Sequence, residues 1–346
     1  MELKRAMIPL LLCGTLAFAA AGCSRSPEDT IKIGGIAPLT GDMAFYGKSV
    51  SGGIRLAVKQ TNASGGVLGR EIEYVEHDDE NDIKKVEDAY VKLKKKKVAA
   101  ILGGITTQTA VALVMRTGKD GIPIVLPSAT DAEATAYGNN VFRACFTDPY
   151  QSRTMASFAC ETLGAKKIAI LYEFSNEYSG GITAGFGKRV EMLGAEAVEY
   201  YSYSTGDTNF SVQLAKIKKS DPEVLFVPAY HRAAVLIAAQ ARQMGIRAVL
   251  LGADGWDGIL SAADEEQRAA VEGAYFCTHY DAQGDAPPTQ DFLAEYEAEY
   301  GKQPDSFAAL GYDAAMVLFA AIEKTGSTDR TKISGQLAKT EYDGVT

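Results

Sequence analysis

The sequence has few of the residues that most often build metal and redox sites. Its 346 residues include three histidines and five cysteines, and no cysteine pair has the CxxC spacing of many such sites. The motifs GxSxG and HExxH are absent, and no GxGxxG follows the first predicted strand. We therefore predict that the chain is not an enzyme and that it carries no metal and no other cofactor.

The sequence also lacks an excess of positive charge. Its 35 basic and 44 acidic residues give a formal net charge of -9. The first 22 residues carry +1, from Glu2, Lys4 and Arg5, which leaves -10 for the remainder. The one basic run, 92–97, falls at the end of a predicted helix, where positive charge complements the helix dipole. We therefore expect no nucleic-acid partner.

One apolar stretch near the start has the pattern of an export signal. It covers residues 6–21, follows Lys4 and Arg5, and contains Pro9. It is too short and too interrupted for a membrane-spanning helix, and no second stretch in the sequence is long enough for one. Residues 1–22 are therefore predicted to be a secretory signal peptide, which places the rest of the chain outside the cytoplasm.

Lipid attachment is predicted where this signal ends. Small residues at 20–22 precede Cys23, and polar residues follow it. This arrangement resembles the bacterial lipobox, whose cysteine is lipidated and becomes the new N-terminus. We expect the protein to lie in the cell envelope, in the periplasm or on the outer face of the membrane, and to contact the membrane through its lipid anchor only.

Three cysteines lie beyond the signal, namely Cys145, Cys160 and Cys277. Because their number is odd, at least one is unpaired unless a partner protein intervenes. Cys145 falls in a predicted apolar strand, 141–146, and Cys160 on the apolar face of a predicted helix. This pattern favours buried, inert thiols, and it leaves a Cys145–Cys160 disulfide open.

Hydrophobic patterning alternates between strands and helices along the rest of the chain. Short apolar strands are followed by helices of period 3.6, first up to residue 146 and again after it. Such alternation is typical of parallel sheets covered by helices on both faces. The sequence thus predicts an α/β fold of two doubly wound lobes joined by hinge segments, with 23–146 and 279–346 in the first lobe and 147–278 in the second. Strands are predicted at 31–37, 71–77, 98–102, 122–126, 141–146, 167–172, 197–201, 224–227, 248–251 and 274–280.

Three loops that follow predicted strands hold candidate binding residues. Ligands of such sheets bind at the carboxyl ends of the strands, where helix N-termini point inward. The loop 103–108 combines two glycines with Thr107 at a helix start, which suits a carboxylate. The loop 127–130 offers further donors, and 252–256 places an acid beside an aromatic residue. Taken singly, each loop is more typical of an ordinary helix cap.

Together these features resemble the type I periplasmic binding proteins, in particular the branch that binds leucine, isoleucine and valine. The resemblance runs from Ile31 to the final residue. It is carried by Ile36–Gly41 with Tyr46 and Gly47, Asn62–Gly69, Asp78 and Asp79, Pro127–Thr130, Phe142 and Arg143, Pro304, and Tyr312–Ala314.

The resemblance implies a ligand site between the two lobes. Thr107 stands where the family binds the α-carboxylate, Thr130 adds its amide and hydroxyl, and Ser128 offers its carbonyl to the α-ammonium. Asp254 stands where the best-known members have a glutamate that pairs with this ammonium. The other positions at or beside the implied site are Tyr46, Ile105, Thr106, Ala129, Tyr178, Tyr230, Trp256 and Phe307.

The resemblance also implies a function. A monomeric protein of this kind captures a small, branched-chain or otherwise apolar amino acid by lobe closure and delivers it to the permease and ATPase subunits of an ABC importer. The alternative is the same fold binding an amide, an aromatic acid or another small solute, or serving as a sensor module. The chain departs from the family in having Asn81 and Thr106 where some members have a disulfide, and a final hinge segment is expected beyond Thr346.

Overall fold

The computed structural model describes residues 30–346. The predicted signal peptide, 1–22, and the predicted lipidation site, Cys23, lie outside these residues. Two parallel β-sheets, each packed between helices, form the framework of the described part. This arrangement confirms the predicted α/β fold of two doubly wound lobes.

The first sheet contains five strands, β1 (Thr30–Ala37), β2 (Glu71–Asp78), β3 (Ala100–Gly103), β4 (Ile124–Leu126) and β5 (Val141–Arg143). All neighbours are parallel, in the order β2-β1-β3-β4-β5. The strands β3 and β4 are buried along their whole length, since helices cover both faces of the sheet. Their continuous aliphatic sequences, in place of an alternating pattern, follow from this double coverage.

The second sheet contains four strands, β6 (Lys167–Glu173), β7 (Ala197–Tyr203), β8 (Val224–Val227) and β9 (Val249–Gly252). They are parallel and ordered β7-β6-β8-β9. The strand predicted over 274–280 does not form. Tyr275 exchanges two backbone hydrogen bonds with the β9 region, from its amide to Leu250 and from the Gly252 amide to its carbonyl, and the chain then leaves the sheet after a single bridge.

Twelve α-helices occur in the described residues. One of them, α2, shows how the sequence sets the helix bounds: Asp82 caps its first turn by accepting hydrogen bonds from the amides of Lys84 and Lys85, and its last turn carries lysines. The lysine run is therefore an exposed helix terminus, as predicted. The helices are α1 (Ala44–Ala63), α2 (Ile83–Lys95), α3 (Thr107–Asp120), α4 (Asp148–Ser157), α5 (Glu177–Met192), α6 (Ser211–Ser220), α7 (His231–Gln243), α8 (Ile259–Ala262), α9 (Glu265–Ala270), α10 (Pro287–Tyr300), α11 (Ser306–Thr325) and α12 (Arg330–Leu337).

The most apolar of the long helices, α11, belongs to the core of the first lobe. Its length and composition would suit a membrane span, but most of its side chains are buried inside the fold. It packs against α1 at two glycines. A Cβ atom on Gly53 would overlap the carbonyl of Ala308, and a Cβ atom on Gly311 would overlap the carbonyl of Val50. The absence of side chains at these two points lets the helix backbones approach each other closely.

The three cysteines of the described residues are free, so the Cys145–Cys160 disulfide left open by the sequence is not formed. β5 ends at Arg143, three residues earlier than predicted, because its partner strand β4 ends at Leu126, which lies opposite Arg143. The Arg143 guanidinium donates to the carbonyls of Asp131 at 2.6 Å and Ala132 at 3.0 Å. Cys145 therefore follows the strand. It is buried, and its thiol donates to the carbonyl of Ala129 at 3.2 Å.

Candidate ligand-binding site

The carboxyl ends of the two sheets face one another across an enclosed cavity. The lining side chains lie so close together that the space left between them is about 10 Å³, which is room for about one water molecule. Ligand pockets usually occupy about 300–1,000 Å³, so a ligand would fit here only if the walls moved apart. It is lined by Tyr46, Ile105, Thr106, Thr107, Ser128, Thr130, Tyr178, Tyr230, Asp254, Gly255 and Phe307.

Ten of the twelve ligand-binding positions predicted from the sequence are in this lining, and Ala129 and Trp256 are not. Ala129 lies between two lining residues, and its carbonyl bonds to the Cys145 thiol and, at 3.2 Å, to Arg143. Trp256 is buried in the core of the second lobe, where its indole nitrogen donates to the Val227 carbonyl at 2.8 Å. The indole points away from the cavity because residues two apart in the tight turn Asp254–Trp256 face different sides.

Hydrogen-bond donors from the first lobe converge at the start of α3. Gly104, with a φ of 74°, makes the turn from β3 that only glycine adopts easily. Thr107 is the first residue of α3, so its amide and the next ones have no partner within the helix. The side-chain oxygen of Thr107 is buried and has no hydrogen-bond partner among the described residues, and the buried hydroxyl of Thr130 lies beside the carboxyl group of Asp148. Unpartnered donors at a helix N-terminus are suited to a carboxylate.

The acidic group of the second lobe, Asp254, is held by hydrogen bonds on both carboxylate oxygens. The hydroxyl of Tyr178 donates to Oδ1 at 2.6 Å, and Nε2 of His279 lies 3.1 Å from Oδ2. The backbone amide of Asp254 donates to the side-chain oxygen of Gln151 at 3.1 Å. These contacts fix the direction of a carboxylate that faces the cavity, which suits a cationic group of a ligand.

Two residues of this arrangement were missed in the sequence analysis. Gly255 lines the cavity and donates its amide to the Tyr178 hydroxyl at 2.8 Å. His279 lies in the irregular segment after the single bridge at Tyr275, where no strand or helix pattern indicates which way its side chain points. The only available signal was that the whole chain has three histidines.

Burial controls the protonation of the groups around the cavity. It raises the pKa values of the Tyr46, Tyr178 and Tyr230 phenols well above their ordinary value, and the nearby Asp254 raises them further. The three hydroxyls are therefore donors at physiological pH. Burial also raises the pKa of Asp148 to about 7, and repulsion from Asp254 contributes. The side-chain amide of Gln151 donates to Oδ1 of Asp148 at 3.0 Å.

The hydroxyl of Tyr46, on α1, joins the two lobes beside the cavity. It donates to the Gly255 carbonyl at 2.6 Å and accepts from the His231 amide at 2.8 Å, while Nδ1 of His231 lies 2.7 Å away. Burial lowers the pKa of His231 to about 4, which keeps this imidazole neutral at physiological pH. An exposed ion pair between Asp42 and Arg232 crosses the same boundary.

No group of three or more metal-ligating side chains lies together within residues 30–346. The cavity instead combines free donors for an anion in one wall with a fixed carboxylate in the other. Its chemistry is that of binding a small polar molecule.

Comparison with known proteins assigns this architecture to a family. The model of the periplasmic binding protein family matches residues 30–346. The Leu/Ile/Val-binding protein homolog 3 of Brucella melitensis is 31% identical over 337 residues, which cover 97% of this chain and 89% of the relative.

Solved structures agree with this assignment. The leucine-binding protein LivK of Thermotoga maritima superposes with a TM-score of 0.85 at 34% identity, over 91% of this chain and 89% of that one. A solute-binding protein of an ABC transporter from R. palustris, solved with benzoate, gives a TM-score of 0.81 at 26% identity, over 91% and 87% of the two chains. The chain therefore belongs to the type I periplasmic binding proteins, in the family of the Leu/Ile/Val-binding proteins.

Proposed function

We propose that this protein binds a branched-chain or other small apolar amino acid outside the cytoplasm and delivers it to the permease of an ABC importer. One observation carries the proposal: the cavity has free donors at the start of α3 and a fixed carboxylate at Asp254. An α-amino acid is a small molecule that carries both complementary groups, a carboxylate for the donors and an ammonium for the acid. Thr107 and Thr130 would bind the former and Asp254 the latter, with Ser128 beside the ammonium.

The remaining walls support an apolar side chain for this ligand. Ile105 and Phe307 contribute hydrocarbon surface from the first lobe. The ring of Tyr46 packs edge-on against Phe307, with 4.8 Å between the ring centres, and against Tyr230 at 5.2 Å. A leucine-like side chain among these rings would be removed from water, which contributes about 1.5–3 kcal/mol to its binding.

We further propose that ligand enters when the lobes separate and is retained when they close. The lobes would comprise 23–146 with 279–346, and 147–278. Support comes from the cavity lining, which both sheets supply and which has almost no open space. A rotation about the segments that join the lobes would part these walls without unfolding either core. The protein would act as a monomer, since each chain holds a complete set of lining residues.

A titration of the exported part of the chain with leucine, isoleucine and valine tests this function. We expect saturable binding of at least one of them, and much weaker binding of 4-methylpentanoate, which is leucine without its amino group. Small-angle scattering of the leucine-saturated sample should give a smaller radius of gyration than that of the free protein. Equal or tighter binding of 4-methylpentanoate would contradict an amino-acid site.

An aromatic acid is the second candidate ligand, and one observation favours it. The imidazole of His279 lies against Asp254, so a protonated His279 would neutralise this acid without a ligand ammonium. A carboxylate at Thr107 with an aromatic ring against Tyr46 and Tyr230 would then fill the cavity. Benzoate included in the same titration separates the two candidates, since the amino-acid site should not bind it.

We also propose that the mature protein begins with a lipid-modified Cys23. The support is the apolar segment 6–21 that ends in small residues before this cysteine. Replacing Cys23→Ser should release the protein from the membrane fraction or leave the signal uncleaved, as fractionation and the mobility of the intact chain on a gel would show. A variant that fractionates and migrates like the parent would contradict lipid attachment.

A further inference from the structure

A histidine and an aspartate form a buried pair beside the cavity. Nε2 of His279 is 3.1 Å from Oδ2 of Asp254, and the two side chains are 2% and 3% exposed. The imidazole also stacks on the ring of Phe146, with 3.7 Å between the ring centres and 20° between the planes. Phe146 and His279 lie in segments where the chain passes from one sheet to the other. Through His279, Asp254 is therefore in contact with these connecting segments.

His279 is the only basic side chain within ion-pair distance of Asp254 in the described part of the chain. A carboxylate buried without a positive partner is strongly disfavoured, whereas an imidazolium at this distance offsets much of that cost. The hydrogen bond from Nε2 to Oδ2 does not need that charge, because a neutral imidazole with its proton on Nε2 also donates.

The other titratable groups around the pair are Asp148, two thiols and three phenols, namely Cys145, Cys277, Tyr46, Tyr178 and Tyr230. Burial raises the pKa of the Cys277 thiol to about 12 and raises that of Cys145 as well. These thiols and the three phenols are neutral near pH 7. Asp148, whose pKa is about 7, is the one group among the six that changes charge there.

We propose that His279 holds a proton in the ligand-free protein and that the ligand ammonium competes with this proton for Asp254, so that binding an amino acid expels one proton from the site. This inference rests on the proposed function. Two cations on one carboxylate, both removed from water, repel each other strongly. Loss of the His279 proton removes this repulsion, while the neutral imidazole continues to hold Oδ2 in place for the ammonium. His279 is thus a positioning residue that acts on the ligand through Asp254.

The sign of the pH dependence follows from the direction of proton movement. Because binding releases a proton, a higher proton concentration opposes binding, and affinity falls as the solution becomes more acidic. One released proton corresponds to a limiting loss of about tenfold in affinity per pH unit. Histidine is the residue that can do this between about pH 5 and 8.

The test is calorimetric titration of the parent and of His279→Gln with leucine between about pH 5 and 8. Running each titration in two buffers of different ionisation enthalpy counts the protons released. Glutamine can donate to Oδ2 but carries no charge at any pH. We expect release of close to one proton from the parent and none from the variant, with leucine affinity in the variant nearly independent of pH. Proton release from His279→Gln equal to that of the parent would overturn the proposal.

Asp148→Asn is the matched control, because Asp148 is the other group that titrates near the pair. This variant should still release its proton on binding leucine, and loss of the release would assign the proton to Asp148 and overturn the proposal. If His279→Gln does not fold, NMR can follow the imidazole signals of Asp148→Asn instead, with the His279 signal assigned by replacing His77 and His231 in turn. Whether His279 loses its proton when leucine binds then gives the same decision. A parent that binds leucine without proton release refutes the exchange alone, whereas a parent that binds no amino acid refutes the proposed function and this inference with it.

Discussion

Replacing Asp254→Ala is expected to weaken leucine binding by about 2–5 kcal/mol, which is a loss of roughly thirtyfold or more. The ammonium would then be buried without its counter-ion, and the hydroxyl of Tyr178 would lose the acceptor that it now contacts at 2.6 Å. Titration calorimetry of the parent and the variant, side by side at one pH, measures the difference.

Two controls show whether this loss comes from the ammonium. 4-Methylpentanoate, which has no ammonium, should bind the parent weakly and lose little more in Asp254→Ala. Thr107→Ala should weaken both ligands, by about 1–3 kcal/mol, because the neighbouring amides of α3 still hold the carboxylate. Unchanged leucine affinity in Asp254→Ala would show that the ligand is not held as proposed. An aromatic acid would then be the better-supported ligand.

Replacing Gly53→Ala is expected to lower the free energy of unfolding by about 3 kcal/mol. The added methyl group would overlap the carbonyl oxygen of Ala308. This oxygen belongs to the backbone of α11 and cannot move aside as a flexible side chain could. The two helices would have to separate, which opens the core of the first lobe along α1. Urea unfolding followed by circular dichroism measures the change.

Gly335→Ala, in α12, is the matched control. Gly335 is exposed, and a Cβ atom there meets no other atom within 4 Å. Since alanine restricts the unfolded chain and favours a helix, this variant should be more stable than the parent by about 0.5–1 kcal/mol. Equal effects of the two substitutions would mean that the approach of α1 and α11 does not constrain the fold.

Much of the framework could be predicted from the sequence, because strands and helices leave local patterns. The strand Val224–Val227 has the predicted bounds, since a continuous apolar run between Glu223 and Pro228 determines both its type and its ends. The strand predicted over 274–280 does not form, and this too has a physical reason. An apolar run there satisfies the pattern of a strand, but only Tyr275 lies beside β9 and can bond to it.

The site was predictable to the extent that topology positions it. Residues in the loops that follow parallel strands, such as Thr107 and Asp254, lie at the carboxyl edge of their sheets. The direction of a side chain is harder to predict from the sequence, because it depends on the turn that each residue adopts. Trp256 follows Asp254 by two positions and points into the core. His279 contacts Asp254 and stacks on Phe146, and both are contacts between distant parts of the chain, which local sequence patterns do not indicate.

The bridging hydroxyl of Tyr46 bears on how much of the binding energy a ligand has to supply. Its bonds to Gly255 and His231 join the lobes through protein atoms alone. If the lobes open and close as proposed, these bonds would stabilise the closed arrangement without a ligand, and the observed affinity would equal the intrinsic affinity multiplied by the population of that arrangement. Substitutions at this contact would then change the affinity for all ligands by the same factor, and the order in which the protein prefers them would stay the same.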